Sequence, residues 1–193
     1  EDVFDLLDSL EFYAYNYIAL GNSDDQLWNT DKELRININV LKAFRVTQWK
    51  PLALVAYEKL SNQDFKKLIN AIVSISFRYN VVAKLQTNEM EKVYSKAAIN
   101  LYKGNTQNLQ MVINDLKSIY VNDEDFRNYF MTKQFRTANS TEQKLARYTL
   151  YKLESQENNG NSYDFTIDDG TIEHILPENP SEDWLEFFDE ESI

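Results

Sequence analysis

The sequence predicts a mainly α-helical protein, a multi-helix bundle followed by a short β-hairpin near the end of the chain. Only four glycines and three prolines interrupt the 193 residues, which favours long regular elements. Large apolar residues recur at spacings of three and four along most of the chain, as they do on one face of a helix. Asp169 and Gly170 form a tight-turn pair between two short apolar runs, and this pair predicts the hairpin.

Four helices are predicted in the first half of the chain. Residues 2–20 begin at Asp2, a capping residue type, and stop before Gly21. Residues 31–45 show both alternating and helical spacing, and their Lys, Glu, Leu and Ala content favours a helix. The third helix has Pro51 near its first turn, and the fourth, capped by Ser61, runs to about residue 83 as the central core helix. Its apolar face consists of Phe65, Leu68, Ile69, Ile72 and Val73.

The second half supplies the rest of a bundle of seven or eight helices that spans residues 1–157. Thr87 caps a helix that closes at Gly104, and residues 109–120 form another. Asn122 precedes three acids in the first turn of the next helix, where the helix dipole favours negative charge. Ser140 begins a capping box for a helix through about residue 157. A turn-rich linker at residues 158–162 marks the domain boundary.

The net charge of −11 is unevenly distributed. Residues 1–11 carry five acids and no base, and residues 161–193 carry eleven acids and no base, which leaves 15 acids against 20 bases in residues 12–160. Phosphate contact depends on local basic surface rather than on the total charge. The helical middle therefore either contacts DNA or another acidic surface, or simply presents solvated helix faces.

Composition excludes several classes of site. Without cysteine, the chain forms neither disulfides nor thiolate metal sites, which fits a reducing cytoplasm and predicts a cytoplasmic protein. No apolar run approaches the length of about 20 residues that crosses a bilayer, so we expect no membrane association. The chain has no glycine-rich phosphate loop, so no nucleotide-cofactor site is predicted.

His174 is the single histidine of the chain and follows directly after Glu173, at the end of the predicted hairpin. A neutral imidazole, with an unperturbed pKa of about 6.5, accepts a proton from water at neutral pH. An adjacent carboxylate suits a hard divalent cation. The other interpretation is a structural histidine whose ring nitrogens are satisfied by the backbone.

Residues 171–180, followed by Trp184, resemble the start of the His-Me finger (HNH-like) nuclease domain of GmrSD-type, modification-dependent restriction endonucleases. Glu173, His174 and Pro177 meet that family's acid-His-x-x-Pro pattern. Residues 147–154 resemble the helix that precedes the motif, and residues 76–88 resemble its middle region. The resemblance extends loosely from about residue 47 to 185 and is sharp at residues 171–180.

The resemblance implies that the parent protein, a bacterial defence enzyme, hydrolyses DNA phosphodiesters. His174 would be the general base, Glu173 would hold Mg²⁺ or Mn²⁺, and Pro177 would shape the turn after the base. Residues 163–193 would then be the start of the nuclease domain, a truncated ββα-metal element.

The chain departs from the family pattern in two respects. The family's further ligand, an Asn or His on a later helix, has no counterpart here, and neither does its amino-terminal nucleotide-binding half. We therefore expect a fragment of a larger protein that is inactive by itself and binds no metal tightly. The alternative is a non-catalytic helical scaffold or protein-interaction module.

Overall fold

A computed structural model describes residues 2–136, 138–157 and 171–172. The described part is mainly helical and contains no strand, which confirms the predicted mainly α class. It has eight α-helices: α1 (Val3–Ala19), α2 (Lys32–Ala43), α3 (Lys50–Lys59), α4 (Asn62–Ser76), α5 (Thr87–Tyr102), α6 (Leu109–Asp115), α7 (Asp123–Met131) and α8 (Ser140–Glu157). A π-helix at Phe77–Val82 continues α4, and short 3₁₀ turns occupy Gln26–Trp28 and Lys117–Ile119.

The predicted hairpin stays a prediction. Residues 165–167 and 173–175, which would form most of its two strands, lie outside the described residues. Thr171 and Ile172 are described and have no regular secondary structure. The proposed division into a bundle at residues 1–157 and a nuclease element at residues 163–193 is likewise a prediction.

Side-chain caps explain where several helices begin. The Ser61 hydroxyl accepts the Asp64 N–H over 3.1 Å, and the Asn122 side chain accepts the Asp125 N–H over 2.9 Å. The Ser61 cap was predicted, whereas for α7 the sequence predicted only the acidic first turn. Asp31 accepts the Leu34 N–H over 3.1 Å, and this cap helps to decide residues 31–45 in favour of a helix. Such a cap contributes about 1 kcal/mol.

Other predicted caps differ in the structure. Asp2 precedes α1 without a side-chain capping bond, and Gln86 rather than Thr87 occupies the cap position of α5. The side chain of Asn139 accepts the Thr141 N–H over 2.9 Å at the start of α8. Sequence alone placed the cap of α8 one residue too late, because Asn139 and Ser140 are both favourable capping types.

The core lies between two packed helix pairs, α3 with α5 and α2 with α4. The predicted stripe of α4 is confirmed as core, since Leu68, Ile69 and Ile72 are fully buried. Burial of each such side chain contributes about 1.5–3 kcal/mol. None of the described helices is long and apolar enough to cross a membrane.

Helix α1 is confirmed, but most of its apolar stripe is exposed. Val3 is 68%, Phe4 71% and Ile18 66% exposed, whereas Ala19 is buried. The indole nitrogen of buried Trp28 donates to the Ala19 carbonyl over 2.8 Å, which ties the end of α1 to the core. The stripe predicted the helix correctly without indicating what covers it.

The π-helix after α4 was not predicted. Its wider turn is closed by the Ala83 N–H, which donates to the Arg78 carbonyl over 3.0 Å. Arg78 then donates to the Val121 carbonyl over 3.0 Å and pairs with Asp123 at 2.7 Å. The π-helix thereby connects α4 to the start of α7 and ends beside Lys84.

Candidate nucleic-acid interface

The predicted base, metal ligand and turn residue of the nuclease motif lie outside the described residues. His174, Glu173 and Pro177 therefore have no described neighbours, and their roles stay predictions. Within residues 2–136, 138–157 and 171–172, no group of three or more His, Asp or Glu side chains is placed to hold a metal ion. The described part of the chain does bring together a different set of functional side chains.

Three clefts adjoin the end of α2 and the start of α8. The first, of about 420 Å³, lies between α2 and the start of α8. The second, of about 570 Å³, lies on the other side of the first turn of α8, and the third, of about 330 Å³, shares Lys42 and Arg45 with the first. We define the basic face as the eight cations that line them: Lys42, Arg45, Lys50, Lys84, Lys133, Arg136, Lys144 and Arg147.

Helix α8 is fixed against the bundle by one buried aromatic side chain. The ring centre of Tyr148 lies 5.0 Å from that of Phe44 and 5.4 Å from that of Phe77. Phe44 follows α2 and Phe77 begins the π-helix, so Tyr148 positions α8 against both. Lys144 precedes Tyr148 by four residues and lies on the same side of α8. Tyr148 thus places Lys144 opposite Lys42.

The loop after α2 presents Arg45 in a left-handed backbone conformation, with a φ of 58°. The Arg45 N–H donates to the Lys42 carbonyl over 3.1 Å, and the Val46 N–H donates to the Leu41 carbonyl over 3.4 Å. These two bonds form a Schellman helix end, whose left-handed position is usually glycine. The buried Trp49, whose indole nitrogen donates to the Val46 carbonyl over 3.0 Å, holds the loop. Arg45 itself is exposed.

The second cleft combines three cations with one carboxylate. Glu142 accepts the Arg136 backbone N–H over 2.7 Å and forms a 3.7 Å salt bridge with Lys84. The Arg136 N–H lowers the pKa of the Glu142 carboxyl, and the charge of Lys84 lowers it further. Burial lowers the pKa of the Lys133 ammonium, and the like charge of Lys84 adds to this effect. Positive charge is thus crowded in this cleft.

Most cations of the basic face make no salt bridge with a described residue, whereas half of the twelve cations elsewhere in the chain do. Within the described residues, Lys42, Arg45 and Lys144 make no salt bridge, and neither do Lys133 and Arg136. Cations outside the face make six salt bridges: Arg35 with Asp24, Lys59 with Glu58, Lys66 with Asp31, Lys67 with Asp64, Arg78 with Asp123, and Lys92 with Glu89. Unneutralised cations in neighbouring clefts attract an anion with several charges.

The sequence predicts the positive balance of residues 12–160 but not where these cations lie in the fold. A signal was available, because the chain contains four Lys-x-x-Arg pairs and three of them line the basic face. These three are Lys42 with Arg45, Lys133 with Arg136, and Lys144 with Arg147. In the fourth pair, Arg35 bonds to Asp24. The spacing alone does not show that these three pairs line adjoining clefts.

Residues 120–193 match the family model described as GmrSD restriction endonucleases, C-terminal domain. The match confirms the resemblance predicted from residues 171–180, and it includes α8 and the acid-His-x-x-Pro motif. No curated protein matches the chain significantly, and no solved structure does either. The proteins named by this family model are restriction endonucleases, a class of enzyme that acts on DNA.

Proposed function

We propose that this chain, whose residues 120–193 match the C-terminal domain of GmrSD restriction endonucleases, is part of an enzyme that hydrolyses DNA phosphodiester bonds in bacterial defence. The observation that carries this proposal is that the matched region contains Glu173, His174 and Pro177.

In the proposed reaction His174 is the general base. Its neutral imidazole accepts a proton from water, the water oxygen bonds to phosphorus, and the bond from phosphorus to the leaving oxygen breaks. The leaving oxygen takes a proton from solvent. Pro177 would end the predicted strand after the base, because proline has no N–H to donate to a ladder.

The donor set around the motif favours a hard cation. The chain has one histidine and no cysteine, which disfavours zinc, whereas the carboxylate of Glu173 suits Mg²⁺ or Mn²⁺. Such an ion, when bound, would stabilise negative charge on the phosphate and on the leaving oxygen.

The test is DNA cleavage by the complete protein encoded by the gene, with Mg²⁺ and with Mn²⁺. We expect His174→Ala and Glu173→Gln to abolish cutting while the circular dichroism spectrum is unchanged. Asp168→Asn is the matched control, because it removes a nearby carboxylate that we assign to the predicted turn. Cutting that survives in His174→Ala would end the assignment of the base.

The alternative function, a non-catalytic helical interaction module, is favoured by α1. This helix exposes several large apolar side chains, among them Phe4 and Leu10, which is 57% exposed. Such residues commonly mark a surface that another protein covers. This alternative predicts that the complete protein cuts no DNA with either metal, so the same cleavage assay separates the two functions.

A further inference from the structure

We propose that the basic face is a binding site for the sugar-phosphate backbone of duplex DNA. The choice of DNA rests on the proposed function, whereas the site itself rests on the geometry of α2, α8 and the π-helix end. The cations come from separate parts of the chain, at residues 42–50, 84 and 133–147. This surface therefore forms only when the three separate segments come together in the folded chain.

The described residues that line the clefts carry a net positive charge although the whole chain is acidic. Eight cations and one carboxylate, Glu142, line the three clefts. At physiological ionic strength the screening length is about 8 Å, so the charges nearest to the clefts dominate the potential there. A polyanion therefore meets a positive surface among the described residues that line the three clefts.

The aromatic content of the face favours a duplex over a single strand. Proteins that bind single strands stack bases on exposed aromatic rings, at about 1–3 kcal/mol per base. The lining of the three clefts includes two aromatic residues, Tyr129 and Trp49. Trp49 is only 2% exposed, and Tyr129 is 40% exposed. One accessible ring does not form a stacking platform, whereas unpaired Lys and Arg suit phosphate oxygens.

Two cations of the face occupy backbone conformations that disfavour them. Arg45 has a φ of 58° and Lys84 a φ of 50°, and they are the only described residues other than glycine with positive φ. A left-handed conformation costs a residue with a Cβ about 1–2 kcal/mol. The conformation brings both cations to the rims of the clefts, where both side chains are exposed.

The test is fluorescence anisotropy of a short labelled duplex with the 193-residue chain, in EDTA and over a range of NaCl concentrations. We expect Lys42→Ala/Lys144→Ala to reduce the slope of log affinity against log salt by about 2, and the affinity near 0.1 M salt by more than about tenfold. The matched control is Lys96→Ala/Lys117→Ala, which removes two exposed lysines that do not line the clefts.

Three outcomes would overturn the site. These are wild-type binding by Lys42→Ala/Lys144→Ala, an equal loss in the Lys96→Ala/Lys117→Ala control, and tighter binding of a single strand of the same sequence. The second variant Lys42→Gln/Lys144→Gln keeps the side-chain bulk and must give the same result. His174→Ala must leave the binding curve unchanged. Duplex binding in EDTA thus tests the basic face alone, and DNA cleavage with a metal ion tests the nuclease proposal.

Discussion

The ends of α2 and α5 adopt the same backbone conformation with different residues. After α5 the left-handed position is Gly104, with a φ of 75°, and a Cβ placed there would meet no atom within 4 Å. After α2 the position is Arg45, with a φ of 58°, and the π-helix end repeats this choice with Lys84. The chain therefore uses glycine where the backbone only has to turn, and a cation where the turn borders the basic face.

The turns at Arg45 and Lys84 are therefore less stable than the same turns would be with glycine. Glycine adopts positive φ without the steric cost that a Cβ brings. Retention of Arg45 and Lys84 at these positions fits a role for their charges. Substitutions at these positions and at their contacts test whether charge or backbone conformation matters more there.

The largest effect is expected from Tyr148→Ala, which detaches α8 from Phe44 and Phe77. Loss of a buried aromatic side chain costs about 3–5 kcal/mol. Chemical denaturation measures the loss, and hydrogen exchange should show weaker protection in α8 while α5 keeps its protection. Duplex binding should fall as well, because Lys144 is no longer held opposite Lys42. Equal loss of protection in both helices would show that Tyr148 does not specifically position α8.

The next effect is expected from Arg45→Gly/Lys84→Gly. Relief of two left-handed positions should raise the free energy of unfolding by about 2 kcal/mol. Removal of two cations should reduce the salt slope of duplex binding by about 2. Denaturation and anisotropy on the same preparation test both effects. We expect these two cations to cost stability and to strengthen duplex binding. A double-glycine variant that is less stable than wild type, or that binds the duplex equally well, would contradict this expectation.

A smaller effect is expected from Gly104→Ala. The added methyl group has open space, so the cost is that of the backbone conformation alone, about 1 kcal/mol. Duplex affinity should not change, since Gly104 is not part of the basic face. A cost near zero would mean that positive φ is not unfavourable in this fold, and the interpretation of Arg45 and Lys84 would then fail.

The smallest effect is expected from Glu142→Gln, which removes the carboxylate that lines the second cleft beside the cations of the basic face. Duplex affinity at neutral pH should rise a few-fold, because Lys84 and Lys133 then lose a nearby negative charge. The glutamine oxygen still accepts the Arg136 N–H, so the fold is retained. Lower or unchanged affinity at low salt would contradict a phosphate site in this cleft.

The pH dependence of stability gives an independent check on Glu142. Its pKa is lowered in the folded state, so its stabilising contribution is present above the unfolded pKa of about 4.3 and is lost as the pH falls through the lower folded pKa. The stability difference between wild type and Glu142→Gln should therefore shrink below about pH 4. Denaturation curves over that range measure it, and a constant difference would contradict the assigned shift.

Much of the fold was predictable because the signals are local. The 3.6-residue stripe of α4 and the caps at Ser61 and Asn122 specify helices without reference to the rest of the chain. The π-helix and the left-handed positions of Arg45 and Lys84 were not predictable, since they arise where helices pack against each other. The Lys-x-x-Arg spacing places two cations on one face of a helix. The contacts of Tyr148 with Phe44 and Phe77 determine which helix faces lie together.

The most direct measurement compares three forms of the complete protein in one cleavage assay with Mg²⁺ or Mn²⁺ at increasing duplex concentration. Wild type should cut, and His174→Ala should bind the duplex equally well without cutting it. Lys42→Ala/Lys144→Ala should keep kcat and show a raised KM, because it loses phosphate contacts and keeps the base. Cutting by His174→Ala would contradict the role of this histidine as the base. A lowered kcat with an unchanged KM in the lysine variant would contradict the role of the basic face in holding DNA.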